Sequence, residues 1–148
     1  MLLKHFDSEC GVEEVVSDAP THADLANAVD GIDWLSEGIV GVILERDGSN
    51  WADGSGSLEE GTGLSLMLED GGTQHVATRA PATPEDILVY LTAYLDGDML
   101  RVFEILYDQP LTPQELAEIR GNDASMGRGA IVVALLVIVI ALLALGRL

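Results

Sequence analysis

The chain has one cysteine, Cys10, and one lysine, Lys4. A single thiol excludes an intramolecular disulfide and any thiolate cluster for a metal. It agrees with a reducing, cytosolic setting and reads as an inert thiol rather than a nucleophile. Histidine is nearly as scarce. His5, His22 and His75 are the only three, no two stand at i, i+4, and neither H-x-E nor H-E-x-x-H occurs. A zinc or hydrolytic site is therefore not expected. No G-x-x-x-x-G-K-[ST] run exists to cradle a phosphate. Without a nucleophile, base or metal constellation, the expectation is a non-enzymatic protein with no cofactor and no metal.

Positive charge is also in short supply. Seven Lys and Arg face 25 Asp and Glu, a net −18. All 25 acidic residues precede Ser125, with only five basic ones, so that stretch carries −20. Such a surface repels phosphate backbones and anionic headgroups. Direct nucleic-acid binding is not expected, and an unknown protein partner would be basic. One Lys against six Arg amid abundant acid resembles the composition of proteins from salt-loving archaea and bacteria, whose acidic surfaces stay hydrated in high salt. The same acidity would suit an inhibitor or immunity-type protein that masks a basic partner.

From Gly129 to Gly146 there is no charge and no hydrogen-bonding side chain. As a helix this segment is roughly 27 Å long, close to the thickness of a bilayer's hydrocarbon core. Arg128 and Arg147 bracket it, and long basic side chains snorkel to headgroups. A core helix of a small domain would keep a polar face. This segment has none and reads as a transmembrane helix over 129–146. Residues 1–7 hold no apolar run of the kind a secretion signal needs. The expectation is a single-pass, tail-anchored protein of the cell membrane with its N-terminal domain in the cytosol. Its partners would be the bilayer and, through the span, a second copy. Ala130 and Ala134 form a small-xxx-small pair, Ala134 and Ala141 lie one heptad apart, and Leu145 lies near the end of the span.

Ahead of the span the pattern predicts a small acidic α+β domain with a three- to four-stranded sheet and three or four helices. Residues 1–20 read as a loosely ordered acidic lead-in. Thr21-His22-Ala23-Asp24 opens a helix, with Thr as N-cap and an acid facing the positive helix end. Ile39–Leu44 is a β-branched run that predicts a central strand buried on both faces. Leu64, Leu66 and Leu68 alternate with Ser65, Met67 and Glu69 as in a half-buried strand. Asp70-Gly71-Gly72 turns the chain, and residues 73–79 return. Thr83-Pro84-Glu85-Asp86 opens a second helix, for which Gly97 is the C-cap. Residues 99–107 carry both strand and helix patterns, of which the helix is the better fit. Thr112-Pro113-Gln114-Glu115 is a capping box opening a helix to about Arg120. The expected domain is 21–120, with 99–120 a helical hairpin, and 121–128 a linker to the membrane.

Asp47–Glu60 is rich in Gly, Ser and acids, as in a loop, or in a hairpin with Trp51 on a short strand. It has the look of a calcium loop, but Ala52 or Leu58 falls where the sharp turn needs Gly. A solvated acidic loop is the plainer reading.

Val102-Phe103-Glu104-Ile105-Leu106-Tyr107-Asp108-Gln109-Pro110-Leu111-Thr112-Pro113-Gln114-Glu115-Leu116-Ala117-Glu118-Ile119 resembles the first two helices of a winged helix-turn-helix domain. The resemblance covers about 20 residues and would imply a membrane-held regulator. No basic recognition helix follows Ile119, and DNA binding is what that departure leaves unsupported.

Overall fold

The computed structural model describes residues 1–9 and 11–125. The fold is α+β: a six-stranded antiparallel sheet and, among the described residues, four helices. The strands are β1 (Leu2–Asp7), β2 (Val12–Ser17), β3 (Val40–Asp47), β4 (Asn50–Ser57), β5 (Gly63–Asp70) and β6 (Thr73–Val76). Their spatial order is β2-β1-β3-β4-β5-β6. Helix α1 (His22–Asp30) carries the chain from β2 over to β3, with β1 lying between those two strands. Helices α2 (Pro84–Asp96) and α3 (Met99–Tyr107) follow β6.

The chain divides into two compact units. The first is Met1–Leu111, which holds the whole sheet and α1 to α3. The second begins at Thr112 and contains α4 (Pro113–Ser125). In it the predicted capping box forms: Glu115 N–H donates to Thr112 Oγ1 at 3.2 Å, and Thr112 N–H donates to the Glu115 carboxylate at 2.8 Å. The Thr112 N–H, and after it the Thr112 hydroxyl, donate to the Glu115 carboxylate and hold its pKa below the usual value. The helix was expected to stop near Arg120 and give way to a linker over 121–128. It runs on to Ser125, because a lone Gly121 costs a helix about 1 kcal/mol without ending it.

Two corrections concern the sheet, which has six strands rather than three or four. Residues 1–20, expected as a lead-in, form the β1–β2 hairpin, and Leu3 is fully buried. β3, expected to be buried on both faces, is covered on one. Val42 and Leu44 are 0% exposed, while Ile43 between them is partly open and Ile39 just before the strand is exposed.

The core follows from strand alternation. On one face the register aligns Leu3 with Leu44, Ala52 and Leu68, and His5 with Val42, Gly54 and Leu66. The helices cover this face with Leu25, Ala28 and Val29 of α1, Ile87, Tyr90, Leu91 and Tyr94 of α2, and Val102, Phe103 and Leu106 of α3. α2 crosses β4 where that strand has only small residues. A Cβ added at Gly54 would lie 2.2 Å from Ile87 Cγ2, far inside contact distance. The helices start as predicted. Asp24 closes a capping box on Thr21, and Asp86 accepts from the N–H groups of Thr83 and Ala82. Gly97, at φ 77°, ends α2 in the left-handed conformation that glycine alone adopts without strain.

Candidate functional site

The three imidazoles lie on three different elements. His5 Nε2 donates to Ala28 O at 3.0 Å, His22 Nε2 pairs with Asp96 at 2.7 Å, and His75 Nδ1 is 3.0 Å from the Tyr107 hydroxyl. His75 also meets the Phe103 ring edge-on, with centroids 4.9 Å apart, as a buried aromatic of the core. Each ring has a hydrogen-bonding partner, and that of His22 is an exposed one. Among the described residues no group of three or more His, Cys, Asp or Glu could hold a metal ion. Cys10 lies outside the described residues, as do Arg128, Ala130, Ala134, Ala141, Leu145 and Arg147. Among the described residues no helix is long and apolar enough to cross a membrane.

The Asp47–Glu60 segment forms a hairpin rather than a loop, and Trp51 is on a strand as the second of the two expectations had it. Asp47 makes the turn, its Oδ1 accepting from Ser49 N–H at 2.9 Å and from the Asn50 amide at 2.9 Å. Asp53 is not a loop acid. It stands on β4, one position out of phase with Gly54, so it faces away from the helices.

That second face of the sheet is the most distinctive surface of the first unit. Its central row runs across all six strands: Val15, Lys4, Ile43, Asp53, Met67, Val76. One row to the side lie Leu2, Glu45, Trp51, Glu69 and Gln74. On the other side lie Glu13, Phe6, Gly41, Ser55 and Ser65. Phe6, Ile43, Trp51 and Met67 are partly exposed, and at the two edges Val15 is 53% and Val76 55% exposed. Lys4 pairs with Glu45 and, at 3.2 Å, with Glu13. The bond to Glu45 does most to raise its pKa.

Asp53 is the unusual member. The Ser55 hydroxyl donates to Oδ2 at 2.8 Å, but Oδ1 is shielded from solvent and accepts no hydrogen bond. Burial disfavours the carboxylate and pushes its pKa up to about 6, against the opposing pull of the Ser55 hydroxyl. The arrangement is an apolar plate with a carboxylate near its middle. Sequence reasoning passed over Asp53 because its neighbours Gly48, Ser49, Gly54, Ser55 and Gly56 look like loop. The alternation of Ala52, Gly54 and Gly56 with Asp53 and Ser55 was the available signal.

A second concavity, a cleft of about 480 Å³, is lined by His5, Asp7, Glu9, Glu14, Asp33 and Val40 among others. It is anionic and open, and it lies on the helix-bearing side of β1.

Compared with known proteins, the chain matches no family model, no curated protein and no solved structure.

Proposed function

We propose that this chain is a single-pass membrane protein whose acidic N-terminal domain serves as a non-enzymatic binding, adaptor or regulatory module on the cytosolic side. The observation that carries the reading is the uncharged run 129–146 between Arg128 and Arg147, set against −20 in the residues before Ser125. Apolar side chains over that length favour the hydrocarbon core, whereas the acidic stretch favours water. A carbonate wash of membranes tests it. The full chain is expected to stay with the membrane pellet and residues 1–126 to appear in the soluble fraction. Release of the full chain by carbonate would overturn the anchor.

A second reading, an acidic protein that masks a basic enzyme or toxin, is favoured by the four carboxylates on the uncovered sheet face. A complex that weakens steeply with added salt would support it.

A further inference from the structure

We propose that the face of the six-stranded sheet opposite α1, α2 and α3 docks a basic segment of a partner protein, with apolar side chains laid on Ile43, Trp51 and Met67 and a Lys or Arg directed at Asp53. The inference rests on the binding-module reading and specifies its surface and the chemistry of its partner.

Three observations point the same way. The first is cover. α1, α2 and α3 occupy the opposite face, and no described helix of this unit lies on the Asp53 side, where Phe6, Ile43, Trp51, Met67, Val15 and Val76 keep solvent exposure. An apolar stripe that reaches both edge strands is the sort of patch that marks an interaction site. The second is charge. The face carries Glu13, Glu45, Asp53 and Glu69 against Lys4, which is already held by two of them. The whole unit has 22 acidic and four basic residues through Leu111, so a second copy would bring like charge onto like charge. A basic partner gains where a second copy loses.

The third is Asp53 itself. One of its oxygens lacks a donor in a water-poor setting. An unpartnered buried acceptor costs free energy, and a cation seated over the carboxylate would offset that cost with a charge-assisted bond once a small side-chain shift opens Oδ1. The size of the face sets the scale. Six strands span about 24 Å between the outermost axes, the length of a helix of about 16 residues.

The test uses the full chain in detergent micelles with methyl-labelled Ile, Met and Val. The probe is a helical Lys/Leu peptide of about 16 residues with its leucines on one side. A second peptide has the same composition in scrambled order. Saturable shifts at Ile43, Met67 and Val76 are expected with the amphipathic peptide only. Asp53→Asn should weaken binding about tenfold, and Val76→Ser, an exposed position that leaves the core intact, about fivefold. Glu85→Gln, an exposed acid on α2, should leave it unchanged.

Equal binding of the scrambled peptide, shifts spread over the acidic surface, or equal effects of Asp53→Asn and Glu85→Gln would overturn the proposal. So would protection of Ile43 and Met67 from a soluble paramagnetic agent before any peptide is added. Concentration-dependent protection would assign the face to a second copy, and concentration-independent protection to residues 129–146. Membrane extraction is read separately, so failure of the anchor with site-specific peptide binding intact would remove the membrane and leave the docking face.

Discussion

At Asp53, two influences pull against each other. The Ser55 hydroxyl stabilises the carboxylate, and the surrounding strands desolvate it; desolvation wins, and its pKa rises to about 6. An unfolded aspartate titrates near 4. The folded state therefore holds this proton more tightly than the unfolded chain does. The penalty from Asp53 accrues as pH rises from about 4 to about 6 and is complete at pH 7. A shift of two units sets a ceiling of about 3 kcal/mol. Asparagine recovers less than that, because its oxygen can accept from Ser55 but its NH₂ group takes the place of the unpartnered oxygen. Asp53→Asn in residues 1–126 is expected to raise stability at pH 7.5 by about 1 kcal/mol. The gain should vanish near pH 4 in urea unfolding curves. A gain of the same size at both pH values would show that the charge is not responsible. A residue whose neutral isostere makes the protein more stable needs another reason to be there, and a partner's cation supplies one. None of this was legible in composition, where Asp53 is one of 25 acids; only its phase relative to Gly54 sets it apart.

Helix starts were the most legible elements. A Thr with an acid three residues on precedes α1, α2 and α4, and all three helices begin there. Strands were legible where one face is wholly apolar and the other mixed with polar residues, as at Leu64, Leu66 and Leu68 of β5 against Ser65, Met67 and Glu69. They were illegible in two other circumstances. In β1 both faces are mixed: Leu3, His5 and Asp7 point to one side and Leu2, Lys4 and Phe6 to the other, so no period of two survives in hydropathy. In β4 the residues on the helix side are Ala52, Gly54 and Gly56: α2 lies too close to Gly54 for anything larger, and Gly56, at φ 133°, lies against the β5 backbone at Gly63 and Leu64. The composition of a loop is here the composition of a groove. Gly54→Ala should therefore destabilise the first unit by about 1–3 kcal/mol, since its Cβ would sit 2.2 Å from Ile87 Cγ2. Ile87→Ala alone creates a cavity and also destabilises. Together the two should cost less than their sum by about 1 kcal/mol or more in a double-mutant cycle. Strict additivity would mean that α2 does not rest on β4 through this pair.

For the whole molecule, the proposed membrane anchor brings with it an orientation that the distribution of charge argues for. Translocating the stretch before Ser125 would carry −20 across the bilayer, whereas an insertion that leaves it in place carries none of those acids through the hydrocarbon. Basic residues near the proposed span point the same way: Arg120 and Arg128 precede it in sequence and Arg147 follows it, and Lys and Arg favour the cytoplasmic side. The acidic domain is thus expected in the cytosol, where its uncovered sheet face would meet soluble or membrane-bound basic proteins. Ser49, exposed in the β3–β4 turn, is a suitable reporter. In a Cys10→Ser background, Ser49→Cys should resist a membrane-impermeant maleimide in intact cells and react fully after lysis. Full reaction in intact cells would place the domain outside. The partner would then have to be sought among extracellular basic proteins, and the sheet face could still dock it, because its recognition depends on Asp53 and its apolar neighbours rather than on the compartment.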